Sequence, residues 1–125
     1  MASYLWVALG GAFGSVARYW LAGAVAALTG PQFPWGTLLI NVAGSFIIGW
    51  FGALTADTGR IDVPNDIRIF VMVGICGGFT TFSAFSLQTL ELLQSGEVLR
   101  AAGYILASVV LCLLFVWIGA RLGRA

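Results

Sequence analysis

The sequence predicts an all-α integral membrane protein with four transmembrane helices, on two observations. Of its 125 residues 60% are hydrophobic and only 9% charged, and those few charges separate long uncharged runs. A soluble domain carries about 25% charged residues, so this composition cannot make a water-facing surface. The runs are Met1 to Ala17, Tyr19 to Ala56, Ile69 to Leu90 and Ala101 to Ala120. Each crosses, or nearly crosses, a hydrocarbon core that takes roughly 20 helical residues. The chain reads as a single integral-membrane domain over residues 1–125, with little left for a domain outside the bilayer.

The first helix is expected over residues 4–28. No Lys or Arg precedes Arg18, so the cationic region of a signal peptide is missing and the helix is expected to be retained. Arg18 would cost about 2.5 to 3.5 kcal/mol near the bilayer centre. It should therefore lie at a helix end or beside a wet cavity, either reaching headgroups together with Tyr19 and Trp20 or attracting anions to a vestibule. The next run is too long for one crossing, and Gly30-Pro31-Gln32-Phe33-Pro34 puts a helix-breaking turn in its middle.

The second helix is expected over residues 35–55. Thr37, Asn41 and Ser45 recur at i, i+4 and i+8, so they stack on one face, which Gly49 and Gly52 extend. A charged loop, Asp57 to Asp66, leads to a third helix over residues 67–94, and Ser95-Gly96-Glu97 links it to a fourth over residues 101–119. On that helix Tyr104, Ser108 and Cys112 repeat the same spacing. Trp6, Trp35 and Trp117 fall near helix ends, where an indole suits the headgroup level.

The third helix is the most informative. Gly77-Gly78-Phe79-Thr80-Thr81-Phe82-Ser83-Ala84-Phe85-Ser86 puts two glycines and two adjacent threonines in mid-span, a combination that weakens a helix. Irregular backbone at that depth survives only when buried in protein or facing a cavity, and a break frees carbonyl oxygens, which are ligands for hard cations. Phe79, Phe82 and Phe85 recur at intervals of three. That spacing serves ordinary aromatic packing, yet the electropositive edge of a phenyl ring can also face an anion without trapping it.

Several functions are excluded at once. All six cations are arginine and histidine is absent, so neither a basic surface for nucleic acid nor histidine chemistry exists. Cys76 and Cys112 lie in apolar runs without metal-ligand spacing and read as buried hydrophobes. The polar stripes have a plain explanation as hydrogen-bonding glue between helices, with Gly10-x-x-x-Gly14 and Ser45-x-x-x-Gly49 as close-packing faces.

The four spans, Gly36-Thr37-Leu38-Leu39-Ile40-Asn41 and above all the ten residues from Gly77 to Ser86 resemble the Fluc (CrcB) family of bacterial fluoride channels, along essentially the whole chain. The resemblance implies an antiparallel, dual-topology homodimer in the bacterial plasma (inner) membrane, with two fluoride pores and a structural sodium ion at the dimer interface. The sodium would be held by the backbone carbonyls of Gly77 and Thr80. It implies that Phe82 and Phe85 face fluoride through ring edges, that Asn41 donates to the ion, and that Tyr104 and Ser108 form a polar rail. Arg18 would stand near the pore entrance, with Thr37 and Ser83 in the same lining.

Three features depart from the family pattern. Gln88 stands where many members carry a glutamate, and the rail ends in Cys112 and Val116 where relatives can have hydroxyls. Arg60, Arg68, Arg121 and Arg124 lie on the side of the termini and Arg100 on the other, a bias toward termini inside. Neutral donors along a route let a small, strongly hydrated anion bind and leave, which suits passive efflux that protects the cell from fluoride. Two other classes fit the sequence less well. A small four-helix multidrug exporter would want an acidic residue deep in the first helix, where this chain has Arg18, and a purely structural membrane subunit would use the stripes only for packing. Phe82→Ile and Asn41→Asp are expected to cut flux while leaving assembly intact.

Overall fold

The computed structural model describes residues 1–125 and contains helices and connecting turns only. Helix α1 (Ala2–Thr29) ends at Gly30, whose φ of 77° is readily adopted only by glycine and lets the chain turn into the Pro31 to Pro34 link. Helix α2 (Trp35–Leu54) follows. The third long helical unit, expected as the third crossing, begins with α3 (Asn65–Arg68), widens into a π-helical stretch (Ile69–Cys76) and closes with α4 (Gly77–Phe79). After an extended interruption at Thr80 and Thr81 it resumes as α5 (Phe82–Gln94), and α6 (Val98–Arg124) completes the chain.

The expected break is therefore present, and the expected single helix over residues 67–94 is three helical pieces around a π-helical stretch. The fourth helix is longer at both ends than the expected residues 101–119. Charges mark where the apolar stretch stops, but nothing in Leu122-Gly123-Arg124 breaks a helix, so its hydrogen bonding continues into the polar zone.

Two close helix pairings organise the bundle, and both rest on glycine. Between α1 and the third crossing, a Cβ added at Gly10 would meet Gly74 Cα at 2.8 Å, and one added at Gly78 would meet the Gly11 carbonyl oxygen at 2.7 Å. Between α2 and α6, a Cβ at Gly49 would strike the Val116 carbonyl and one at Gly119 the Phe46 carbonyl. Lipid tails are as apolar as side chains, so such backbone proximity and its dispersion contacts supply association that the hydrophobic effect cannot. Arg68 joins the two pairs near one end, donating to Thr55 Oγ1 at 2.7 Å and to the Gly52 carbonyl at 3.3 Å.

Only 17 of 125 residues are buried, and exposed Leu, Val, Phe and Trp side chains cover the outside, as a hydrocarbon solvent permits. Three units, Trp35–Leu54, Asn65–Gln94 and Val98–Arg124, are long and apolar enough to cross a membrane. Helix α1 has the length, with 28 residues, but Arg18, Tyr19 and Trp20 make it less apolar.

Candidate functional site

The break is built from local chemistry. Thr80 (φ −83°, ψ 157°) and Thr81 (φ −152°, ψ 119°) are extended, a conformation that suits β-branched residues. Thr80 Oγ1 donates back to the Cys76 carbonyl at 2.9 Å, ending the first half of the crossing. Thr81 then caps the second half, its Oγ1 accepting the Ala84 N–H at 3.1 Å.

Two side chains from other helices hold the interruption. Asn41 Oδ1 accepts the Thr81 N–H at 2.8 Å, and Asn41 Nδ2 donates to the Thr81 carbonyl at 3.1 Å. Arg18 Nε donates to the Gly78 carbonyl at 3.1 Å. Backbone groups that lost helical partners are thus satisfied by side chains, as a low-dielectric surrounding demands. No hydrogen bond ends on the Thr80 carbonyl.

A cavity of about 390 Å³ opens beside the break. Helix α2 contributes Asn41 and Ser45 to its wall, the third crossing contributes Cys76, Gly77, Thr80, Thr81, Phe82 and Phe85, and α6 contributes Ser108 and Cys112. The Phe82 and Phe85 ring centroids are 5.4 Å apart, and Phe82 is 78% exposed on the free chain whereas Phe85 is 9% exposed. Ser108 Oγ is buried with no hydrogen-bond partner. A buried hydroxyl with no acceptor, on a residue of the cavity wall, has a proton left to donate.

A second, more polar cavity of about 600 Å³ lies toward the Gly30 to Pro34 turn, lined in part by Thr37, Gln88, Glu91 and Arg100. Arg100 spans its rim, within 3.7 Å of the Glu97 carboxylate and 3.4 Å of the Gln32 carbonyl. Tyr104 stands at the partition between the two cavities: it is fully buried, its ring 5.0 Å from that of Phe85 and 5.4 Å edge-on from that of Phe33. Its hydroxyl donates to Oε1 of Gln88, a residue of the polar cavity's wall, at 2.8 Å.

Most of the expected site residues are brought together. Asn41, Phe82, Phe85 and Ser108 share the cavity beside the break with Gly77 and Thr80, while Thr37 lies in the polar one and Tyr104 at the partition. Arg18 and Ser83 are placed elsewhere. Arg18 is engaged at the break from within α1 and lines neither cavity, so it stands neither at the end of its own helix nor in a vestibule, and its Nε is met instead by the Gly78 carbonyl. Ser83 is exposed, with its hydroxyl 3.3 Å from Thr81 Oγ1. The Thr81 cap, the tie between Gln88 and Tyr104, and Phe33 against Tyr104 went unread in the sequence. A threonine just ahead of a helical run was a visible signal for the first; the other two join residues far apart in the chain.

Comparison with known proteins identifies the family. The family model for CrcB-like protein, Camphor Resistance (CrcB), matches residues 5–120. The fluoride-specific ion channel FluC of Methylocella silvestris is 60% identical over 116 residues, covering 93% of this chain and 88% of that protein. Those of Rhodospirillum rubrum (57% identical, 94% of this chain, 91% of that protein) and Opitutus terrae (59%, 95% and 90%) carry the same name. A bacterial multi-pass membrane protein is what the apolar helices and these relatives describe together. With the family model matched along nearly its entire length and such relatives beside it, this chain belongs to the CrcB family.

Proposed function

We propose that the protein is a passive, fluoride-selective channel. One observation carries the reading: Asn41, Phe82, Phe85 and the unpartnered Ser108 hydroxyl converge on one cavity at a break in a membrane span, in a chain whose relatives are named fluoride channels. Fluoride holds its water tightly, so a route through hydrocarbon must replace that shell with donors. Ser108 O–H, the second N–H of Asn41 Nδ2 and the edges of Phe82 and Phe85 supply them without a full charge, so the anion is solvated and still released. Gln88 and Thr37 continue the donors into the polar cavity past Tyr104. Net movement follows the gradient, and efflux from the cytoplasm across the inner membrane protects the enzymes inside.

The working unit of this reading is an antiparallel homodimer with two pores and all four helices of each copy crossing, α1 included. Phe82 and Gly77 are exposed on the free chain beside the cavity, so a second copy laid over this face would close the route. The free Thr80 carbonyl, with Gly77 one turn earlier, fits a hard cation such as sodium at that interface. Sodium, when bound, supplies a fixed positive charge there and is not transported.

Liposomes containing the purified protein and loaded with potassium fluoride test the proposal. A potassium ionophore should release fluoride rapidly and chloride hardly at all. Fluoride efflux no faster than from protein-free liposomes would refute it.

A further inference from the structure

The donor route described above leaves the two cysteines of the cavity beside the break without a role. Cys76 and Cys112 are free thiols, and both line the cavity, from the third crossing and from α6 respectively. Cys112 follows Ser108 by four residues on α6, the spacing that brings two side chains to within about 5–6 Å at Cβ. Two donor atoms so placed can share one ion. Ser108 is 7% exposed, and its Oγ has a lone pair and a proton with no partner. Cys76, 3% exposed, offers a second sulfur from another wall of the cavity.

We propose that Cys112 and Ser108, with Cys76 on another wall, form a binding site for a soft monovalent cation of the silver(I) or copper(I) class, and that its occupancy blocks the anion route. Thiolate sulfur selects soft cations over the hard ones that prefer the carbonyl oxygens of the break. Binding breaks the Cys112 S–H bond and forms a sulfur–metal bond. The proton leaves to water and no electron is transferred. The product at Cys112 is a neutral metal thiolate, which suits a cavity walled largely by apolar groups better than a bare cation. Ser108 keeps its proton and turns a lone pair to the metal, so the hydroxyl is withdrawn from the anion while the ion fills the cavity.

Silver fluoride is freely soluble, so silver is the probe, in chloride-free medium. The detergent-purified full chain is incubated with micromolar silver and desalted, and the retained metal is counted by elemental mass spectrometry. About one silver per chain is expected, with retention reduced at least tenfold in Cys112→Ser, a nearly isosteric change. A wild-type chain that retains no silver, or a Cys112→Ser chain that retains as much, overturns the site. Blockade rests on the proposed channel activity and is measured apart, as fluoride efflux from liposomes. Silver should inhibit the wild type, and about tenfold more should be needed for Cys112→Ser. Unimpeded efflux from chains that have silver bound overturns the blockade, whereas absence of efflux before silver is added counts against the channel reading and leaves the metal count valid.

Discussion

Asn41 grips Thr81 by both main-chain polar groups, accepting its N–H at 2.8 Å and donating to its carbonyl at 3.1 Å, across 40 residues of sequence. The pair works as an artificial continuation of the backbone ladder at the point where the third crossing has none. Asn41 is thus a structural clamp as well as a wall of the cavity. A carboxylate can accept the N–H but cannot donate, so Asn41→Asp sets an anionic oxygen against the Thr81 carbonyl. The structure therefore revises the expectation that this variant leaves assembly intact. It should lose fluoride flux and be less stable by about 1–3 kcal/mol, visible as a lowered melting temperature in detergent. Melting identical to the wild type would show that the clamp does not hold the break.

Phe82→Ile should behave differently. The ring is 78% exposed on the free chain and belongs to no buried cluster, so an aliphatic replacement removes the electropositive edge and little packing. Helix content should be unchanged while fluoride efflux falls by about tenfold or more. Full flux in this variant would remove Phe82 from the route.

Tyr104→Phe deletes one oxygen at the partition between the cavities. Gln88 Oε1 then loses its donor in a surrounding where unpaired polar atoms are expensive, so stability should drop by about 1–2 kcal/mol. The double variant Tyr104→Phe with Gln88→Leu should recover part of that loss, since both partners have then gone. A thermal-melt double-mutant cycle measures the coupling, and additive effects would show that the hydrogen bond contributes nothing.

Gly14→Ala tests the pairing of α1 with the third crossing. The added methyl would collide with the Ile75 carbonyl and sit 2.8 Å from the Phe79 nitrogen, neither of which can yield without moving a helix. A loss of about 1–3 kcal/mol is expected. Gly23→Ala on the same helix meets nothing within 4 Å and should be neutral or slightly stabilising. Equal melting of the two variants would show that the close approach is not a source of stability.

The spans were legible because lipid admits so few solutions: a charge is costly in hydrocarbon, so the positions of Asp57, Arg68 and Arg100 bound the apolar runs. The break was legible because two glycines and two threonines in mid-span weaken a helix wherever they occur. The polar faces of α2 and α6 followed from the helical repeat alone. The π-helical stretch Ile69–Cys76 was not legible, since its residues are as compatible with an α-helix.

By itself, then, the sequence determined the membrane class, three apolar spans, the interruption and the residue types able to solvate an anion. Only the tertiary structure decided which of those residues meet. It gave Asn41 to the Thr81 backbone, Arg18 to the Gly78 carbonyl and Tyr104 to Gln88, and it left Ser108 without a partner beside Cys112. Periodicity establishes the face of its own helix that a side chain occupies. Its partner depends on how closely two helices approach, and here that is decided where glycine backbones touch, as Gly10 does at Gly74.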